Sequence, residues 1–308
     1  MGVDAPTSVD GGVEDPVAVE MTCATLPAST STCDVTAGSK AILIKGNILT
    51  STVIYKGGQV LVDTSGKIAC VGCSCGAGGE TTLSCPGASV SPGLINTHDH
   101  ITFTQNAPYT DTGVRYEDRQ QWRIGLDKRP KIPSTGSAKK EQVQWGELRF
   151  AMGGATSIVG SGGAPGLLRN LDQAANQGDG FAHTAVNFDT FPLDDTSGTR
   201  RNGDCNYGGA SPTTPTTIAG DKAYEPHTSE GIDATARNEF LCQSRDDFDS
   251  KAPGLSYNLA LKKTSMIHAI GLQPADYGTM AAAGTSLIWS PRSNITLYGD
   301  TARVTAAS

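Results

Sequence analysis

From Ser91 onward the chain alternates short apolar stretches with longer polar or helical ones, and this rhythm constrains the fold more than any other feature. Strands are expected at 93–96, 156–159, 184–188, 223–226, 265–268 and 286–289, with helices at 141–152, 167–176, 232–242 and 274–283. Strand–helix repeats of this kind build a parallel sheet covered by helices, so residues 91–308 read as an α/β unit, a β/α barrel. Upstream, residues 41–72 read as three short strands, AILIKGNILT, TVIYKGGQVLVD and KIACVG, with turns at Lys56-Gly57-Gly58 and Ser65-Gly66-Lys67. They form a small antiparallel β unit. Residues 1–40, rich in Ser, Thr, Pro and Gly, read as a polar and poorly ordered leader.

Two long polar insertions, 103–140 and 192–221, interrupt the rhythm. In a β/α barrel such loops follow strands and lie on the face where active sites sit, which makes them candidate lids. Surface decoration stapled by Cys205 is an equal reading for the second. The 24 Lys and Arg against 31 Asp and Glu leave a net charge of −7, which argues against nucleic acid and anionic membrane surfaces and for a small-molecule partner. No run approaches the roughly 18 apolar residues of a membrane-spanning helix.

Eight cysteines, an even number set among loop-like residues, point to disulfides and an exported protein whose signal is absent from this chain; a cytoplasmic protein is the alternative. Cys23 with Cys33, and Cys205 with Cys242, would each staple a loop-rich segment. The rival is a zinc site at Cys70, Cys73, Cys75 and Cys85, disfavoured because these four sit between Gly-rich turns rather than in two separated pairs.

The chemistry concentrates in Pro92-Gly93-Leu94-Ile95-Asn96-Thr97-His98-Asp99-His100. Side chains two apart on a strand share a face about 7 Å from one another, so His98 and His100 are placed to hold one metal ion. Two histidines at that spacing are a weak signal alone. Their position at the end of an apolar strand after a Pro-Gly turn strengthens it.

This segment resembles the first barrel strand of the amidohydrolase superfamily, and 41–72 resembles the N-terminal half of the small β-sandwich flanking the barrel in its deaminase and chlorohydrolase branch. The resemblance spans roughly 41–300 and implies a TIM-like (β/α)8 barrel on 91–308 with a β-sandwich subdomain on 41–90. Glu225-Pro226-His227-Thr228-Ser229-Glu230-Gly231 resembles the family's fifth strand, which implies His227 as third ligand and Glu230 as proton shuttle. Met266-Ile267-His268-Ala269 resembles the sixth, implying that His268 orients water and substrate, with a ligand or core role as its alternative. Ser290-Pro291-Arg292-Ser293-Asn294 resembles the seventh-strand element.

Binuclear members use a carbamylated lysine on the fourth strand, but no lysine lies between Lys140 and Lys222, which implies one divalent metal, zinc ahead of iron. The family's fourth ligand and base is an aspartate at the end of the eighth strand. The chain stops at Ser308, and Asp300 reads as helical or loop-bound, so a truncated barrel with an incomplete site is expected. The function implied is hydrolysis of a carbon–nitrogen bond, as deamination of a cyclic amidine or opening of a cyclic amide. The alternatives are a chlorohydrolase on the same site and a catalytically incomplete binding protein that keeps the barrel. An incomplete sandwich would leave strand edges open to homo-oligomer formation.

His183 reads as structural, and Gly160 to Gly166 as a turn after the second strand rather than a phosphate loop. Trp122, Arg123, Trp145 and Arg149 read first as packed-face residues and second as pocket lining.

Overall fold

The computed structural model describes residues 18–162, 167–173, 183–249 and 254–307. These fall into two compact units, one ending at Pro92 and the other beginning at Gly93.

The first unit is a six-stranded sheet of β1 (Val19–Thr22), β2 (Asp34–Thr36), β3 (Ser39–Leu49), β4 (Val53–Val62), β5 (Ile68–Gly72) and β6 (Glu80–Val90), in the order β1-β4-β3-β6-β2. On the other edge of β4 from β3, β1 pairs with Val53–Lys56 and β5 with Gln59–Val62, so two short strands share one edge. Pairing is mixed, not all antiparallel: β1 with β4 and β3 with β6 are parallel. The leader also departs from expectation. Between Val19 and Lys40 it is held by β1 and β2 and by disulfides from Cys23 to Cys73 and Cys33 to Cys85. Gly57 shows how close this docking is, because its φ of +68° is left-handed and a Cβ there would stand 1.8 Å from the Ala24 carbonyl oxygen.

All eight cysteines are paired, the remaining bonds being Cys70–Cys75 and the expected Cys205–Cys242. Cys23 therefore bonds Cys73 and not Cys33, and Cys70, Cys73, Cys75 and Cys85 are committed to disulfides rather than to zinc.

The second unit carries two parallel sheets. β7 (Leu94–Asn96), β8 (Ala155–Ile158) and β9 (Arg169–Asn170) form one, and β10 (Asn187–Asp189), β11 (Tyr224–Thr228), β12 (Ser265–His268) and β13 (Ser286–Ile288) form the other. Helices make the crossovers from β7 to β8, from β11 to β12 and from β12 to β13. The first is α1 (Arg119–Ile124), inside the first insertion; α2 (Lys140–Met152) follows it before β8; then come α3 (Ala234–Ser244) and α4 (Pro274–Ala283), while α5 (Pro291–Tyr298) and α6 (Val304–Ala307) follow the last strand. Phe240 of α3 and Tyr277 and Met280 of α4 bury against Met266 of β12, while Val143 of α2 closes on Ile101 and Ile158.

One expected helix is absent from its described part. Where 167–176 was read as helical, Arg169–Asn170 is a strand beside β8, and Asn170 is buried with its amide donating to Glu147 and to the Leu168 carbonyl. Residues 174–176 lie outside the described residues.

Candidate metal centre

The C-terminal ends of the parallel strands converge on one cavity of about 550 Å3, whose wall includes His98, His100, His227, Glu230 and His268. His227 lies within β11 and His268 ends β12, but His98 and His100 sit just beyond β7 rather than on it. Strand alternation is therefore not what aims the pair. The chain after Asn96 is pinned instead by the Asp99 amide donating to the Val159 carbonyl and the Ile101 amide to that of Gly160.

Nε2 of His98 lies 3.2 Å, and Nε2 of His100 3.1 Å, from Nε2 of His227. Two nitrogens each about 2.05 Å from a tetrahedral zinc stand about 3.3 Å apart, so the three imidazoles have the spacing of a common ion's ligands. Two of them are oriented from behind. His227 Nδ1 donates to the Asp189 carbonyl at the end of β10 (3.1 Å), and His98 Nδ1 meets the Ser290 hydroxyl at 2.6 Å. Such partners fix which ring nitrogen faces the metal. Burial, with the neighbouring histidines adding to it, lowers the His98 pKa to about 2 and pulls that of His227 well below its usual range. His100 is lowered as well, chiefly by burial. The three rings are neutral and their lone pairs are free, which is what a metal needs. The donor set thus fits a single divalent ion, and no other group of three His, Cys, Asp or Glu side chains does so among the described residues.

Glu230 and His268 complete the wall, with Oε2 3.6 Å from Nε2. The backbone beside both is unusual. Ser229, His268 and Ala269 have φ of 52°, 71° and 49°, a region that non-glycine residues seldom occupy and that is held here by surrounding hydrogen bonds. The Ser229 amide donates to Glu239, and the Ala269 amide to the Thr228 carbonyl. These turns swing Glu230 back over the strand end instead of letting the chain run on.

The two insertions meet at this wall. Arg119, on α1, is buried and pairs with Asp195 of the second insertion at 2.9 Å and with Glu239 at 3.4 Å, while its backbone amide donates to the Glu230 carbonyl. Phe191 lies under both Arg119 and Arg123, 5.0 and 4.8 Å from the ring centre. Trp122 and Arg123 therefore line the cavity, whereas Trp145 is 66% exposed and Arg149 donates to Thr104. His183 is not on the cavity wall, and Asp300 sits exposed in the loop after α5. The described part of 160–166 is a bend after β8, where the Gly162 amide donates to Asp172. Sequence reasoning missed Ser290's contact with His98, the Asp189 carbonyl, and Tyr298, whose hydroxyl donates to Glu230 at 2.9 Å. Ser290 carried a signal in the Ser-Pro-x-Ser-Asn element; Tyr298 carried none.

No protein-family model and no curated protein matches the sequence. Among solved structures, triazine hydrolase from Arthrobacter aurescens aligns with a TM-score of 0.50 at 15% identity, over 87% of this chain and 69% of that one. The zinc-complexed atrazine chlorohydrolase TrzN from the same organism aligns with a TM-score of 0.51 at 15% identity, over 86% and 69%. The chain shares the fold of these two hydrolases. An identity this low fixes the architecture, and the chemistry of this chain has to come from its own site.

Proposed function

We propose that this protein is a metal-dependent hydrolase of carbon–nitrogen bonds, with His98, His100 and His227 as ligands of one divalent ion, zinc ahead of iron. The observation that carries the reading is the meeting of three neutral imidazole Nε2 atoms, 3.1 and 3.2 Å from one another through His227, beside a carboxylate in the same cavity. The two parallel sheets are read as arcs of one barrel, and the unit before Gly93 is read as a sandwich half.

A divalent ion on these ligands would polarise water enough to supply a nucleophile near neutral pH. Glu230, a carboxylate on the cavity wall, is read as the shuttle that carries a proton between the water and the leaving nitrogen. His268 stands beside it to steady the charge that develops on the attacked centre. Phe103, Trp122, Phe191 and Leu297 give the cavity flat apolar walls, which suit a planar cyclic amidine or cyclic amide. Hydrolytic dechlorination is the second reading, because the fold is shared with a zinc-complexed chlorohydrolase and the ligand set does not choose the leaving group. Four disulfides fit an oxidising, exported location. Among the described residues no helix is long and apolar enough to cross a membrane.

Elemental mass spectrometry of the purified protein and of His98→Ala tests the centre. The expected result is about one zinc or iron per chain, lost in the variant; a protein that takes up no divalent metal, or a variant that keeps it, overturns the reading. Ammonia release from cyclic amidines against chloride release from chlorinated triazines then separates the two reactions.

A further inference from the structure

The two oxygens of Glu230 have different neighbours. Oε1 lies 2.9 Å from the Tyr298 hydroxyl, and Oε2 lies 3.6 Å from Nε2 of His268. The phenol oxygen is itself 2.8 Å from Trp122 Nε1, and an indole N–H can only donate. Tyr298 thus accepts from Trp122, and its own proton is directed at Oε1. Burial first, and then the Glu230 carboxylate, hold this phenol well above its ordinary range, so it remains a donor at any working pH.

From this arrangement we propose that Tyr298, locked by Trp122, is a positioning residue that directs the shuttled proton to Oε2 of Glu230. The proposal rests on the shuttle role given to Glu230 and deepens it. An oxygen already accepting a hydrogen bond from a phenol is the poorer place for a proton, which leaves Oε2, on the side of His268. The opposite partner is set in the same way. His268 Nδ1 is 2.8 Å from the Asn294 side-chain oxygen, which accepts only, so Nδ1 carries a ring proton and Nε2 is the nitrogen that faces Oε2. Asn294 and Tyr298 are four residues apart on α5 and so share one helix face. One short helix therefore sets the hydrogen positions on both members of the Glu230–His268 pair. The balance closes: a water O–H bond breaks as O–H forms at Oε2, that bond breaks as N–H forms on the leaving nitrogen, and the Tyr298 O–H stays intact throughout.

Tyr298→Phe removes the hydroxyl and keeps the ring that packs with Tyr116 and Ile270. The expected outcome is unchanged metal content, kcat lower by about 10- to 100-fold on the best cyclic amidine found, and KM changed by less than about twofold. In a Glu230→Gln background the same change should cost nothing further, whereas a merely structural role would cost as much in either background. Infrared spectroscopy of the metal-free protein reads the contact without turnover. The carboxylate band lost in Glu230→Gln should shift in Tyr298→Phe and shift less in Trp122→Phe, which also serves if the tyrosine variant does not fold. An unmoved band, or additive losses in the double variant, overturns the proposal. Full activity in Glu230→Gln with a band that still shifts would instead overturn the shuttle assignment and leave the hydrogen bond standing.

Discussion

Asp118 illustrates how much charge is packed behind the cavity wall. It caps α1, its carboxylate accepting from the Gln120 amide at 2.7 Å, yet it is almost fully buried. Burial pushes its pKa up to about 6; the Asp233 carboxylate adds to the rise, while the Gln120 amide, Arg119 and Arg200 oppose it. The folded protein therefore holds this proton to higher pH than the unfolded chain does. Between about pH 4 and 6 the native state binds more protons, so this group's contribution to stability falls as pH rises through that window. Asp118→Asn keeps a capping oxygen and removes the charge. Its melting temperature should match the parent near pH 4 and exceed it at pH 8, by on the order of 1–3 kcal/mol in unfolding free energy. A variant less stable than the parent at pH 8 would mean that the Arg119 and Arg200 charges outweigh burial.

Among the elements, the junction of β11 and α3 carries the most constraint. After Glu230 the chain zips against the segment before α1: the Ile232 amide donates to the Glu117 carbonyl, and Arg119 returns a bond to Glu230. Gly231 lies between, and a Cβ there would stand 2.5 Å from the Glu117 carbonyl oxygen and 2.9 Å from the Asp118 Cα. Both are backbone atoms that cannot swing aside. Gly231→Ala is expected to lose about 1–3 kcal/mol in urea unfolding, as overpacked cores do, and an unchanged midpoint would show that the segment before α1 yields freely. The same region shows what a sequence carries and what it leaves out. β12 and α4 were legible to the residue, because an apolar run ends at a histidine and a helix starts on Pro274 and stops at the left-handed Gly284. Arg169–Asn170 was not, since its strand pairing depends on β8 and its buried amide on Glu147, a residue 23 positions earlier. At the site, the four histidines and Glu230 stood out through short motifs. Trp122 and Tyr298 did not, because 176 positions separate them and only the fold brings them together.

At the scale of the molecule the two units are stabilised differently. In the first, the described apolar side chains that are fully buried are Leu43, Ile48, Val60 and Cys85, while Val19, Val35 and Ile68 are more than 60% exposed. So small a core leaves such a unit dependent on covalent cross-links. Three of the four disulfides lie there, two of them closing loops of 50 and 52 residues, each worth about 4 kcal/mol in the chain-entropy account. Their pairing could not be read from the sequence, which is why the leader looked unstructured. The second unit buries several apolar clusters of its own, and both sulfur-bearing residues of its disulfide, Cys205 and Cys242, are buried. A water-soluble phosphine should therefore reach the first unit's bonds before the second's, and unfolding should follow the same order. Hydrogen exchange after mild reduction is expected to show β3, β4 and β6 losing protection while β11, β12 and α4 keep theirs, with limited proteolysis leaving a fragment that begins near Gly93. Simultaneous loss of protection in both units would mean that they unfold as one cooperative body, and unchanged protection in the first would mean that its sheet stands without the cross-links.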